Sequence, residues 1–275
     1  MNGQSFHEAL LDAGYEYFVG VPDSVLSDWI DYATRNEVSG AFQIASQEGE
    51  ALSLAIGYHL ATGKKAVVFL QNSGLGNLIN PLMSMAHAQV YRIPVLFIIG
   101  WRGAPGIKDE PQHQTMGQAT YDILRVCQVE SALVQNTEAL QKFLQSDLPP
   151  LSAILIEAGR LSAKKIPAKV DQPLRIQYLE SVLQIAPADA VFFSTTGFTS
   201  RELWALQKDK ITHPCFYSVG GMGFLNAIGL GFAQFRSDRH TCVLDGDGAF
   251  LMHLGNVASI GAKRPQRFLH ILLRN

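Results

Sequence analysis

The chain has 275 residues, of which 47% are hydrophobic and 17% charged, and its formal net charge is −2. That length suffices for two ordinary α/β domains with sizeable cores, and the near-neutral balance excludes an electrostatic drive toward nucleic acid or an anionic membrane surface. No basic stretch followed by an apolar core opens the chain and no apolar run is long enough to span a bilayer, so neither a signal peptide nor a membrane partner is expected. Cys127, Cys215 and Cys242 lack CxxC spacing, which fits reduced, buried thiols of a cytoplasmic protein.

In chain order, YFVGVP (17–22), AVVFLQ (66–71), VLFIIG (95–100) and AILIEA (153–158) have the continuous apolar character of buried parallel strands. EALSLAIGYHLATG reads as a helix closed by Gly63. The polar, basic, proline-containing stretch LSAKKIPAKVDQPLR reads as a linker. The pattern then restarts, with LESVLQIAP as helix, AVFFST (190–195) as strand and TSRELWALQK as helix. VGGMGFLNAIGLGFAQF follows as a glycine-rich helix, then TCVLDG (241–246) and FLHILLRN as strands. The expected organisation is an α/β domain over 1–163, a linker over 164–175 and a second α/β domain over 176–275. The fold class is α/β, with two successive doubly wound parallel sheets, the second unfinished. Such sheets bind ligands outside the carboxyl ends of their strands.

Several polar groups fall at those ends. Asp247 sits between Gly246 and Gly248, which permit close backbone approach, and a helix with free amide donors is expected to begin near Ala249. A carboxylate beside phosphate-binding amides repels the ligand unless a divalent cation lies between them. Magnesium is held in this way, and Asn275, after the adjacent strand, offers a second oxygen. The alternative is plain Asp-Gly turn chemistry. Thr199 and Glu202 form a capping-box pattern, with Thr196-Gly197 in the turn before it. The stretch GWRGAPGIKDEPQHQTMG (100–117) reads as a loop hanging from a strand's carboxyl end. Its Arg102 and Lys108 suit an anionic substrate, and His113 suits proton transfer at neutral pH. Asp23 and Ser24, after the first strand, either cap a helix or face the substrate.

These segments resemble the thiamine-diphosphate-dependent decarboxylases. Gly246-Asp247-Gly248 followed by Asn275 is similar to their metal–diphosphate motif, although Arg274 stands where many members have another Asn. QEGEALSLAIGYHLATGK resembles the segment carrying the family's glutamate, and the offset to Gly57-Tyr58 selects Glu48 over Glu50. In the VGGMG stretch, Met222 matches the apolar wedge under the cofactor and Gly220 the carbonyl that accepts from its amino group. GVPDS, QNSGLGN and WRG-PG-KDEPQH look like the phosphonopyruvate decarboxylases, with sulfopyruvate decarboxylases as close kin and Ala104 as a departure from a common Glu.

The resemblance implies thiamine diphosphate and Mg2+ as cofactors, with Asp247 and Asn275 on the metal. Glu48 would activate the cofactor, and Thr196, Gly197, Gly220, Met222, Gly246, Gly248 and Ala249 would lie around it. The implied reaction converts phosphonopyruvate to phosphonoacetaldehyde and CO2 in phosphonate biosynthesis, a small 2-oxo acid being the only partner besides further copies of the chain. It implies a homodimer or larger assembly, with Glu48 and Asp247 of one site coming from different subunits. Members continue past the metal Asn, so an incomplete second domain with weak cofactor binding and negligible activity on its own is expected, and an inactive fragment or partner subunit is the alternative. Sulfopyruvate decarboxylases usually divide the two domains between chains, so fusion here favours the phosphonate. SGLGNLIN and GGMGFLNA also resemble nicotinamide-dinucleotide fingerprints, but each lacks the third glycine and a suitably placed acidic residue.

Overall fold

A computed structural model describes residues 1–36, 40–161, 174–210 and 212–274. The chain forms two compact units, Met1–Ile166 and Pro167–Asn275. Most of the expected linker, residues 164–173, lies outside the described residues, and Arg175 already opens a helix.

The first unit runs α1 (Gly3–Asp12), β1 (Phe18–Gly20), α2 (Ser27–Asn36), β2 (Phe42–Ile44), α3 (Glu48–Thr62), β3 (Ala66–Gln71), α4 (Leu75–Pro81), β4 (Val95–Trp101), α5 (Pro111–Val126), β5 (Glu130–Leu133), α6 (Thr137–Leu144) and β6 (Leu151–Glu157). Its six strands are all parallel, in the order β2-β1-β3-β4-β6-β5. Strand β3 shows why apolar runs mark buried strands. Ala66, Val68 and Leu70 join one core cluster, while Val67 and Phe69 join the other, so both faces are dry. Trp29, fully buried, meets Phe6, Phe18, Phe42 and Phe69 edge-on, with ring centroids 5.3–6.1 Å apart.

The second unit runs α7 (Arg175–Ile185), β7 (Val191–Ser194), α8 (Phe198–Gln207), β8 (Cys215–Tyr217), α9 (Leu225–Phe235), β9 (Thr241–Gly246), α10 (Asp247–Met252), α11 (Asn256–Lys263) and β10 (Phe268–Leu273). Its parallel sheet has the order β10-β9-β7-β8. Among the described residues no helix is long and apolar enough to cross a membrane.

Four local readings are corrected. The glycine-rich helix begins only at Leu225, because Gly221 and Gly223 hold φ values of +66° and +89° in a turn. Thr199 is buried inside α8, whose N-cap is Gly197, and Glu202 turns to Arg175, so no capping box forms. The loop after β4 stops at Glu110, which puts His113 in the first turn of α5. The helix after β9 starts at Asp247 rather than near Ala249.

Phe69 supports the Trp29 cluster from the centre of the sheet. Phe69→Ala is expected to destabilise the first unit by about 3–5 kcal/mol, measurable as a lowered denaturation midpoint by circular dichroism.

Candidate active site

The first sheet reverses direction after β2 and again after β5, and the second reverses once. In the first unit the chain leaves β1 toward β2, then returns to β3 on the other side, so the carboxyl ends of β1 and β3 flank a switch point. Asp23 bridges it. Its Oδ1 accepts from Gln71 Nε2 at 2.6 Å and its Oδ2 from the Val25 amide at 2.9 Å. Burial pushes its carboxyl pKa up, opposed by these two bonds and by the Arg102 charge. Gly100 on β4 is necessary here, since a Cβ at that position would overlap Asp23 Oδ2.

Glu48 opens α3 beyond the end of β2. Gln47 caps the helix, its side chain accepting from the Gly49 amide at 2.9 Å. The Glu48 side chain is only 4% exposed, and its Oε2 accepts from Asn77 Nδ2 at 2.8 Å. Gly74 cradles the other oxygen, because a Cβ there would overlap Oε1. Gln71, Asn72, Gly74 and Asn77 all lie in QNSGLGN. This one segment therefore supports Asp23, Glu48 and Arg102, the last through Asn72, which accepts from the Arg102 amide and donates to its carbonyl.

Arg102 leaves the end of β4 and is gripped by Asp109, Nε to Oδ2 at 2.7 Å and Nη2 to Oδ1 at 2.5 Å. The Arg102 guanidinium holds the Asp109 carboxyl well below the usual carboxylate range. Arg102 Nη1 is 3.3 Å from Ser24 Oγ. Ser24, Arg102, Lys108 and Asp109 line one cleft with Ile107 and Gly159. The predicted substrate residues are thus gathered, with Asp23 beneath them. His113 Nε2 lies 3.9 Å from Glu110 Oε2, and burial, then the Arg102 charge, lowers its imidazole pKa and favours the neutral ring.

The second sheet reverses between β7 and β9. The Thr196-Gly197 turn follows β7, and Gly246-Asp247-Gly248 ends β9. Thr196 Oγ1 donates to the Val219 carbonyl at 3.0 Å, which fastens this turn to the GGMG loop. Met222 is 40% exposed and reaches over the turn, its Cε lying 3.4 Å from where a Gly248 Cβ would be. Gly223 packs so closely on α10 that a Cβ would press on His253, Ala249 and Met252. The Gly220 carbonyl accepts from Ser218 Oγ at 2.6 Å. The Asp247 side chain is exposed, its Oδ1 accepting from the Gly248 amide at 2.8 Å, and the space at Gly246 is open. Beside it, β10 ends at Leu273 opposite Gly246, and Asn275 lies outside the described residues.

A diphosphate cofactor and its cation fit this chemistry. An exposed hard oxygen donor stands over open, Cβ-free backbone in the second unit, and a cradled buried carboxylate waits in the first. Among the described residues no group of three or more His, Cys, Asp or Glu side chains gathers to hold a metal.

Two doubly wound parallel sheets, each with polar groups collected at its switch point, define a cofactor-binding α/β protein. The chain belongs to the thiamine pyrophosphate enzymes: the family's N-terminal TPP binding domain matches residues 2–144 and its C-terminal TPP binding domain residues 195–275. It is 36% identical to a phosphonopyruvate decarboxylase of Streptomyces viridochromogenes and 38% identical to one of Streptomyces hygroscopicus, each over 97% of this chain and 71% of the relative. A sulfopyruvate decarboxylase of Methanosarcina acetivorans is 23% identical over 84% of this chain and 65% of its own length. That relative joins both domains in one chain, so fusion does not separate phosphonate from sulfonate enzymes.

Sequence reasoning missed Gln71, Gly74, Asn77 and Gly100, the residues that hold the carboxylates. The signal for three of them was the polar, glycine-rich QNSGLGN at a strand's carboxyl end. Gly74 has φ −72°, so alanine suits its backbone, and the three atoms nearest to an added Cβ all belong to Glu48. Gly74→Ala is expected to lower thiamine-diphosphate-dependent turnover roughly hundredfold, as small misplacements of a reacting group do, while the melting temperature by circular dichroism stays near that of the parent.

Proposed function

We propose that this protein decarboxylates phosphonopyruvate to phosphonoacetaldehyde and CO2 with thiamine diphosphate and Mg2+. The observation that carries this reading is near-full-length similarity to two phosphonopyruvate decarboxylases, against lower identity to the single-chain sulfopyruvate enzyme. A cleft with Arg102, Lys108 and Ser24 supports it, because a 2-oxo acid with a second anionic group needs cations of its own.

In this reading bound thiamine diphosphate supplies the electron sink that lets the substrate carboxylate leave as CO2. Asp247, with Asn275, holds the cation that carries the diphosphate. Met222 would pack against the cofactor, and the Gly220 carbonyl, which already accepts from Ser218 Oγ, would accept from its amino group. Gly246, Gly248, Ala249, Thr196 and Gly197 form the surrounding wall. Glu48 binds the pyrimidine ring and moves a proton through its carboxylate, while Asn77 keeps that carboxylate from turning away. Arg102 and Lys108 bind the phosphonate, with Ser24 and Asp23 beside them. His113, neutral near pH 7 by its burial, relays the proton that replaces the lost carboxylate on carbon.

With thiamine diphosphate and Mg2+ added, whatever turnover the purified protein has is expected to be faster on phosphonopyruvate than on sulfopyruvate, followed by aldehyde formation and phosphorus NMR. Glu48→Gln is expected to cut that rate by about 10²–10⁴-fold, the range for proton-transfer groups. Faster turnover of sulfopyruvate would overturn the choice of substrate.

The same reading makes the enzyme a cytoplasmic homo-oligomer in which Glu48 and Asp247 of one site come from different copies. Co-expressed Glu48→Gln and Asp247→Ala chains should then regain activity that neither variant has alone, because a mixed pair retains one intact site. Absence of any recovery in purified mixed oligomers would count against shared sites.

A further inference from the structure

Four donors converge on one side chain in the loop after β4. Besides the two bonds from Arg102, Asp109 accepts from the Gly103 amide through Oδ2 and from the Glu110 amide through Oδ1, each at 2.8 Å. A guanidinium fork with two converging backbone amides is the donor set proteins use for a phosphate or phosphonate. Here it is filled from within, by a carboxylate only 9% exposed. The pair forms a wall of the cleft that also contains Ser24 and Lys108. An anion entering this cleft meets Arg102 with two donors already engaged, and Glu110 Oε2 stands 3.9 Å from Nη2 as a second acidic neighbour. Only Nη1 is turned elsewhere, toward Ser24.

We propose that Asp109 is an internal stand-in for the substrate's second anionic group, displaced from Arg102 by a doubly charged phosphonate and not by a singly charged sulfonate. This rests on the proposed function and assigns its specificity to one residue. Exchanging a carboxylate for a sulfonate leaves the charge at Arg102 unchanged and surrenders the advantage of a tethered ligand, so nothing drives it. A phosphonate brings one more negative charge to Arg102 and Lys108, and its three oxygens match the vacated donors. Asp109, once displaced, turns to solvent as an ordinary carboxylate. No bond is made or broken.

The test uses methylphosphonate and methanesulfonate, titrated calorimetrically into the protein in mildly alkaline buffer, where the phosphonate carries two charges. The parent protein is expected to bind methylphosphonate roughly tenfold tighter or more, the scale of one charge-assisted contact. Asp109→Asn keeps the volume and an acceptor for one of the two amides while removing the charge. It should close most of that gap, chiefly by tightening methanesulfonate. Asp109→Ser, neutral and smaller, should act in the same direction if the Asn variant is poorly folded. If both variants weaken the two probes alike, Asp109 only positions Arg102 and the proposal fails. It fails equally if the gap is unchanged. Because the probes are not turned over, the result is independent of activity: discrimination lost on Asp109→Asn in a protein that does not consume phosphonopyruvate would sink the proposed function and leave this inference standing.

Discussion

A carboxylate removed from water must be given donors, and this requirement organises the carboxyl edge of the first sheet. Asp23 and Glu48 are 6% and 4% exposed. Leaving either charge unpaired would cost several kcal/mol. The chain answers with amides on a single segment, Gln71 for Asp23 and Asn77 for Glu48, and with two glycines, Gly100 and Gly74, that leave room for the oxygens. Strand β3 sets that segment between β1 and β4. The long apolar strands are thus what allow two carboxyl groups to be held still in a low-dielectric setting.

The second unit solves the opposite problem. Its carboxylate, Asp247, is exposed and lies on backbone without side chains at Gly246 and Gly248, open to the hard cation of the proposed reading. Rigidity comes from behind. The GGMG loop is nailed to α10 through Gly223, and Asn256 Nδ2 donates to the Gly223 carbonyl at 3.2 Å and to Asn226 Oδ1 at 2.9 Å. In the proposed reading the buried Glu48 moves a proton and the exposed Asp247 holds a cation.

Long, uniformly apolar strands were legible in the sequence, because burial on both faces leaves a continuous hydrophobic run. Strands β2, β5 and β8 were not, since they have three or four residues each and expose part of their surface. The glycine-rich stretch before α9 shared its apolar character with the helix it precedes, and only the positive φ values of Gly221 and Gly223 separate turn from helix. Candidate residues at strand ends were legible as residue types in the right places. Their partners were not, because Gln71, Asn77 and Asp109 act through contacts that spacing alone does not reveal.

Arg102 shows how far such contacts alter the reading of a single residue. On its own it is a cation at a strand's carboxyl end, ready for an anion. In the fold it is held on both sides. Asn72 fixes its backbone, and Asp109 takes its guanidinium. The loop between them is anchored to α5, where a Cβ on Gly117 would overlap the Gly103 carbonyl and Trp101 Nε1 donates to the Gly117 carbonyl at 2.8 Å. With the backbone held by Asn72 and α5, the Gly103 and Glu110 amides of the proposed anion site do not depend on Asp109 for their positions. An anion site whose geometry survives the loss of its internal ligand is already organised for the external one. What a substrate must supply is therefore charge rather than reorganisation.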